Sequence, residues 1–477
     1  MYISNFRNNS FPPGPLGLPF VGNSLLVRKL SQQFGGLHGV YQQLSEQFRS
    51  KMIGLRLGSE RVVAILGYPL AREALTNEDL NGRPDNFFTR LRTMGQRMGI
   101  TFTDGSYWEE HRAFVVRALK EVGFGRKPME SLMQQELHEL IRELQVTDQA
   151  INPGKLIQLS VLNVLWTLAT GKRMEKDDGR LQKLLDTMLK RSKQFDITGG
   201  ILNQLPWLRF IAPNRTGYNL LKDLSNQLKD FFSETIEEHY ATYDEENSSD
   251  DLIYAYIREI KARKDDPNST FTDAQMIMTI LDLFIAGSQT TGLVIELSLL
   301  MMAINPEIQT KVHVELDNMQ NQLTWSNRSS LPYSEAVTME VQRFFPVAAI
   351  SGPRRATRDI KMGGYTIPKN TTVFVDLKSV HMDPEYWQKP EEFNPERFFD
   401  QNGNLVHSER LIPYSLGKRK CLGDTLAKAS IFSFFVGVME RFEIMLPEGA
   451  SRTVELIPGI THTPKDYLVS FKERTRV

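Results

Sequence analysis

An apolar run from Asp273 to Ile304 constrains the fold more than any other feature of this sequence. Thr272-Asp273-Ala274-Gln275 reads as a capping box and Asn305-Pro306 as a stop, predicting one helix of some 32 residues, about 48 Å long. A rod of that length crosses a whole domain, so the rest of the chain has to wrap around it. Hydropathy alone would make it a membrane span. Asp282, Glu296 and the polar group Ser288-Gln289-Thr290-Thr291 argue instead for a buried helix with a functional interruption.

The remainder is mostly helical in pattern. Amphipathic stretches run from 125 to 245, and a further helix from Pro332 to Phe345 is stopped by Pro346. Strand signals are short: 52–57 and 61–66 form a hairpin through Gly58-Ser59-Glu60, and Gly363-Gly364 turns another. Residues 81–105 read as loop. The fold class expected is therefore mainly α with small β-sheets. No linker divides the 477 residues. A proline-rich leader over 1–24, stiffened by Phe11-Pro12-Pro13-Gly14-Pro15, is expected to precede a single body over 25–477, with a small β-rich N-terminal part and a large helical part. No long apolar run precedes the leader, so no transmembrane anchor is expected in this sequence.

Charge excludes one class of partner. With 57 basic residues against 57 acidic and only short basic runs, the chain lacks the field that sequence-independent nucleic-acid binding requires. A single cysteine, Cys421, rules out a disulfide framework and fits a reducing compartment. It also rules out zinc and iron–sulfur sites built on several cysteines. A cysteine nucleophile would need a positioned base, and no histidine lies near in sequence. The bland reading is a small buried hydrophobe. Against it stands the setting: Cys421 lies in a basic turn between Gly417 and Gly423, just before a helix-compatible segment from Asp424 to Met439. Backbone amides, helix dipole and neighbouring cations there are expected to lower the thiol pKa. One thiolate without a partner suits one haem iron, which takes a single proximal protein ligand.

The run Tyr414-Ser415-Leu416-Gly417-Lys418-Arg419-Lys420-Cys421-Leu422-Gly423 resembles the haem-binding loop of the cytochrome P450 family, aromatic-x-x-Gly-x-Arg-x-Cys-x-Gly. The resemblance implies haem b (iron protoporphyrin IX), with Cys421 as axial iron ligand and Arg419 on a haem propionate. The glycines, Gly423 among them, would let backbone approach sulfur and porphyrin. Tyr414 stands where the family usually has phenylalanine, adding a hydroxyl that needs a partner near the sulfur.

Four further signatures follow in the family's order. Trp108 and Arg112 share a helix face and resemble Trp-x-x-x-Arg, whose side chains reach propionates. Ala286-Gly287-Ser288-Gln289-Thr290-Thr291 resembles the oxygen-binding signature of the long helix. Small residues would leave room for a diatomic ligand, and the Thr290 hydroxyl would pass protons. The bland reading of Thr290 is a bond back to the carbonyl four residues earlier. Gln289 replaces the usual acid, so proton delivery would run through water or Thr290. Glu340 and Arg343 match Glu-x-x-Arg, with Arg397 of Pro395-Glu396-Arg397-Phe398 as the third member of a buried supporting triad. Arg354, at the end of an apolar strand, is the better candidate of the pair Arg354-Arg355 for a propionate. Phe87, Phe88, Val347, Ile350 and Ile460 are expected to line the substrate pocket.

The resemblance, closest in style to microsomal animal and particularly arthropod members, implies a monooxygenase inserting one atom of O2 into a lipophilic small molecule. Hydroxylation or epoxidation of a terpenoid or steroid-like lipid is the preferred subclass, with detoxification behind it. Electrons would come from NADPH through a separate cytochrome P450 reductase, with cytochrome b5 as a further partner, docking near Lys418, Lys420 and Lys428. A monomer on the cytosolic face of the endoplasmic reticulum membrane is expected. The stretch 199–213, with Trp207 between glycine and proline breaks, is either core or an apolar patch at the membrane surface. Competing readings are a reductase-independent haem-thiolate isomerase or peroxygenase, and a non-enzymatic haem sensor.

Overall fold

The computed structural model describes residues 10–146, 149–175, 178–194, 201–202, 205–245, 251–320 and 323–475. The leader lies against the first sheet: Gly54 N–H donates to Pro13 O, and a Cβ on Gly14 would stand 1.8 Å from Gly54 O. Helices α1 (Ser24–Gln33) and α2 (Leu37–Phe48) follow. The main sheet contains β1 (Met52–Leu57), β2 (Glu60–Ile65), β3 (Arg354–Arg355) and β6 (Thr372–Val375), in the order β1-β2-β6-β3. The predicted hairpin is present, and β6 joins it in parallel, Val63 opposite Val373. Between β3 and β6, β4 (Ile360–Met362) and β5 (Tyr365–Ile367) form the hairpin that Gly363-Gly364 turns. The C-terminal pairs are β7 (Phe442–Met445) with β10 (Ser470–Glu473) and β8 (Leu456–Ile457) with β9 (Thr463–Pro464).

After α3 (Tyr68–Thr76) the segment expected to be loop contains a helix, α4 (Phe87–Arg92). Its start is a reciprocal cap: Thr89 N–H donates to Asn86 Oδ1 at 2.9 Å, and Asn86 N–H to Thr89 Oγ1 at 3.1 Å. Threonine in place of the usual glutamate or glutamine hid this box in the sequence. The helical body continues with α5 (Gly105–Glu121), α6 (Lys127–Gln145), α7 (Gly154–Thr170), α8 (Arg180–Gln194), α9 (Leu208–Ile211), α10 (Tyr218–Ala241) and α11 (Leu252–Ala262). Then come α12 (Asp273–Ile304), α13 (Pro306–Asp317), α14 (Pro332–Phe344), α15 (Lys378–His381) and α16 (Asp424–Arg441).

The long helix α12 has the predicted ends, with Thr272 Oγ1 accepting from Gln275 N–H at 3.2 Å. It is helical throughout, and the polar residues Thr290 and Thr291 that interrupt its apolar run face a cavity. Among the described residues it is the one helix long and apolar enough to cross a membrane, yet 67% of its most apolar window is buried inside the protein. Its main neighbour is α7, and α16 packs on its C-terminal half. Two glycines set the spacing to α7. A Cβ on Gly287 would stand 2.8 Å from Leu165 Cδ1, and one on Gly292 2.7 Å from Gln158 Cγ. Leu297, Leu299 and Met302 of α12 share one buried apolar cluster with Phe434, Phe435 and Met439 of α16, each full burial contributing about 1.5–3 kcal/mol. That cluster fixes the two helices that flank the cysteine loop.

Candidate active site

A cavity of about 440 Å³ separates α12 from the cysteine loop. On the α12 side it is lined by Ala286, Gly287, Thr290 and Thr291; on the other by Tyr414, Arg419, Cys421 and Gly423. The loop is held open by two left-handed residues, Ser415 (φ 63°) and Gly417 (φ 74°), and closed by Cys421 N–H donating to Tyr414 O at 3.0 Å. Glycine is required at 417 on two counts: its positive φ, and a Cβ that would lie 2.2 Å from Leu75 O. At Gly423 the case differs, because a Cβ there would meet no protein atom and would project into open space.

Cys421 is exposed because it opens into the internal cavity. The expectation of a lowered thiol pKa is not met in the loop itself. Burial pushes the Cys421 thiol up and Asp424 adds to it, against the opposing pull of the Gly423 backbone N–H, Arg112 and Lys420. The helix start and the cations act as expected but are outweighed by desolvation. Tyr414 likewise has its phenol pushed up by burial and then by the negative charge of Cys421 and Asp424, and its hydroxyl has no partner among the described residues.

Guanidinium groups converge on one end. Arg419 lies over the Trp108 ring, 3.7 Å from its centroid, with Nε donating to Asn81 O and Nη2 to Thr103 O, while the buried Nη1 has no partner among the described residues. Arg112 stands one turn after Trp108 on α5 and donates to Lys420 O at 2.7 Å. Arg83, which sequence reasoning missed, lines the cavity beside them, its Nε without a partner among the described residues. Arg354 stands just behind the lining, donating to Asn81 Oδ1 at 3.0 Å and to Leu416 O at 3.4 Å. Its neighbour Arg355 points away, to Asp104 and Asn370, as alternation along a strand requires. Crowding is costly. Burial together with the surrounding arginines pulls Arg419 down to about 8 and Arg354 to about 9, and burial and Arg112 pull Arg83 to about 10 despite Asp104. Asp104 is already shared by Arg83 N–H, Arg97 and Arg355.

The residues present therefore fit haem. The cavity has unpaired guanidinium nitrogens at one end for two carboxylates, a sulfur opening onto it, and a glycine face that leaves space. Cys421 would hold the iron; Arg83, Arg112, Arg419 and Arg354 would hold the propionates.

Other predicted residues fall as follows. Thr290 makes the backbone bond of the bland reading, its Oγ1 donating to Ala286 O at 2.7 Å, while still facing the cavity. Gly287 borders the cavity, but its small size is used toward Leu165. Gln289 is not among the lining residues; its Oε1 accepts from Ser192 Oγ of α8 at 3.4 Å. Val347 and Ile350 line the cavity. Phe87 does not: it stacks on Tyr218 and lies under Arg209, 4.9 Å from its ring centroid. Ile460 is also outside the lining, and the side chain of Phe88 lies outside the described residues. Asp282, unremarked as a site residue, borders the cavity and accepts Ile100 and Thr101 N–H at 2.8 and 2.9 Å, pinning that loop to α12.

Away from the cavity, Glu340 forms a buried triad. It takes Arg343 Nε at 2.7 Å and Nη2 at 2.8 Å, Arg397 Nε at 3.0 Å and Asn394 N–H at 2.9 Å. Both arginines also donate to backbone carbonyls of the 388–392 segment. Within the described part of the 199–213 stretch Leu202 is buried, while Ile201, Trp207, Phe210 and Ile211 are open to solvent, as are Leu16 and Phe20 of the leader. Of the three lysines around the loop, Lys418 pairs with Glu78 and Lys420 with Asp424, while Lys428 lies over the Tyr414 ring.

Comparison with known proteins agrees with this geometry. The family model described as Cytochrome P450 matches residues 12–471. Among curated relatives, the chain is 47% identical to a probable cytochrome P450 305a1 of Drosophila melanogaster, over 98% of this chain and 95% of that one. It is 34% identical to a farnesoate epoxidase of Bombyx mori (99% and 96%) and 34% identical to cytochrome P450 2J2 of Homo sapiens (97% and 91%).

Proposed function

The chain belongs to the cytochrome P450 family and is a P450 monooxygenase, and from that premise we propose how its residues divide the work and what it acts on. The observation that carries the proposal is the shared cavity: the only cysteine opens onto one side, the α12 threonines onto the other, and unpaired arginine nitrogens onto one end. Haem b with a thiolate ligand supplies the splitting of O2, one atom passing to the substrate and one to water.

The chain's own groups do the rest. Cys421 would hold the iron as a thiolate, the charge of the metal favouring loss of the proton that burial alone retains. Arg419, Arg112, Arg83 and Arg354 would hold the two carboxylates of the haem, with the Trp108 ring supporting Arg419. Ala286 and the backbone around it keep the floor of α12 low. Thr290 holds a proton at Oγ1; it exchanges its bond to Ala286 O for one to water, which serves the delivery that an acid at Gln289 would otherwise serve. Val347, Ile350 and Ala348 present an apolar wall that orients a lipophilic substrate and excludes water. Glu340, Arg343 and Arg397 hold the scaffold under the loop. Residues 25–477 act as one catalytic body behind the leader.

A lipophilic terpenoid or lipid substrate, hydroxylated or epoxidised, is supported by the apolar wall and by likeness to a farnesoate epoxidase. Electrons come from NADPH through a separate reductase, with cytochrome b5 as an auxiliary donor. An open groove beside the loop, where Arg112, Arg117, Lys120, Arg126 and Lys418 outnumber Glu109 and Glu121, supports a docking face for an acidic partner. Exposed Trp207, Phe210, Ile211, Leu16 and Phe20 support contact with the endoplasmic reticulum membrane by a monomer. Gln289 in the acid position favours a second reading, a reductase-independent peroxygenase or isomerase.

The reduced protein with carbon monoxide is expected to give the red-shifted thiolate Soret band, which Cys421→Ala abolishes; a normal band in that variant sinks the ligand assignment. Turnover with NADPH and reductase, set against peroxide alone, separates the two readings. A low- to high-spin shift on titration with lipophilic candidates identifies the substrate.

A further inference from the structure

Arg83, Arg112, Arg354 and Arg419 crowd one end of the cavity, yet among the described residues none of their guanidinium groups is hydrogen-bonded to a carboxylate. Their acceptors are neutral. Arg83 Nη1 donates to Pro353 O, Arg112 Nη2 to Lys420 O, Arg354 Nη2 to Leu416 O and Arg419 Nη2 to Thr103 O. The nearby carboxylate of Asp104 is engaged elsewhere: its Oδ2 accepts from Arg97 at 2.6 Å and from Arg355 at 2.8 Å, and neither of those arginines lines the cavity. Two further bonds of the set meet at one residue. Asn81 O accepts Arg419 Nε at 2.9 Å, and Asn81 Oδ1 accepts Arg354 Nη1 at 3.0 Å. Asn81 is itself held in place, its N–H donating to Glu78 O at 3.0 Å while the next residue, Gly82, bridges to Arg355. Among the described residues its Oδ1 is the one side-chain acceptor in a set otherwise made of backbone carbonyls. A neutral acceptor orients a guanidinium without discharging it, so the positive charge stays available to a carboxylate that a ligand brings.

We propose that Asn81 is a positioning residue that aims Arg354 and Arg419 at the haem propionates, and that the neutrality of its amide keeps the charge of Arg354 for the ligand. The proposal rests on the reading that these arginines hold the propionates. Aspartate at this position has nearly the same shape, but it would meet Arg354 as a charged acceptor and compete with a propionate for the same guanidinium. Leucine has a similar size and removes the acceptor while leaving the charge of Arg354 undiminished. Geometry alone makes aspartate the milder of the two changes. Neutrality makes it the harsher.

The test measures haem release from the full-chain holoprotein to excess apomyoglobin, together with resonance Raman of the propionate bending modes, for wild type, Asn81→Asp and Asn81→Leu. Asn81→Asp is expected to release haem roughly tenfold faster than wild type, the effect of about one charge-assisted hydrogen bond. Asn81→Leu is expected to fall between the two, with the bending modes shifted most in Asn81→Asp. Haem loading lost in Asn81→Asp and kept in Asn81→Leu is the same ranking in its extreme form. Release from Asn81→Asp no faster than from Asn81→Leu, loss of loading in both, or bending modes that match wild type in both overturns the proposal. An Arg354→Gln holoprotein with wild-type release and bending modes would instead overturn the propionate reading beneath it, so the two failures are distinguishable.

Discussion

Glu340→Gln tests whether the buried triad supports the cysteine loop. The carboxylate is fully buried and accepts four hydrogen bonds, three from guanidinium groups of Arg343 and Arg397 and one from Asn394 N–H. Glutamine keeps the shape but turns one oxygen into a donor. That donor then faces either Arg343 Nε or the convergent pair Arg343 Nη2 and Arg397 Nε, so at least one charge-assisted bond becomes a clash of donors. Two buried cations also lose their counter-charge. Breaking such a pair costs about 3–5 kcal/mol. Backbone carbonyls of His381 and Pro390 still receive Arg343, at 3.0 and 2.9 Å, which puts the expected cost at the lower end, about 3 kcal/mol. Guanidinium unfolding followed by tryptophan fluorescence reads this directly, because buried Trp387 lies 5.6 Å from the Arg343 guanidinium. Haem content at fixed expression gives a second measure. An exposed pair on the same segment, Lys389 with Glu392, is the control, and Lys389→Ala should leave the midpoint in place. A Glu340→Gln loss below about 0.5 kcal/mol, within the range of ordinary surface substitutions, would refute the reasoning.

Gly287→Val should cost roughly 1–3 kcal/mol by forcing Leu165 and α7 away from α12, seen as a lower unfolding midpoint; a stability equal to wild type would show that the helices separate freely. Thr290→Ala should leave haem content and substrate spin shift intact while product formed per NADPH falls by roughly tenfold or more, with peroxide rising to match. Equal coupling would remove the proton role. His239 is set between the Thr235 and Thr170 carbonyls and Asp251; burial pulls its pKa down, but the Asp251 carboxylate and these carbonyls outweigh it and raise it above 6.5. Its contribution is therefore complete below the unfolded value and lost as pH rises through the higher folded value. His239→Gln should flatten the fall in stability on going from mildly acidic to mildly alkaline pH, and an unchanged slope would place the titration elsewhere.

What the sequence made legible depended on whether the cause was local. The ends of α12 were readable because the Thr272 cap and Pro306 act within one turn, and the β1–β2 and β4–β5 hairpins because Gly58 and Gly363-Gly364 punctuate them. The parallel pairing of β2 with β6 joins residues some 310 positions apart, and nothing at either strand announces it. Cys421, Trp108 and Arg112 could be singled out by rarity or helical spacing. Arg83 could not, since an arginine before proline in a loop rich in arginines carries no period; only the fold brings it beside Arg419. The thiol shows the reverse problem. Helix start and cations are visible in sequence, whereas burial, the larger effect, is a property of the assembled cavity. Gly287 was read as room for a small ligand, and its three-dimensional neighbour Leu165 supplies another reason for it.

The crowd of guanidinium groups around Trp108 bears on how the polypeptide comes to exist in a cell. Without an anionic occupant, desolvation and the neighbouring arginines disfavour the charged forms of Arg83, Arg354 and Arg419. Whatever neutralises this corner is bound only by the finished form, so its concentration shifts the balance between mature and immature chains. Newly made chains in a porphyrin-starved cell would linger with this corner open and be cleared by proteolysis. Its abundance is therefore expected to fall when porphyrin is scarce.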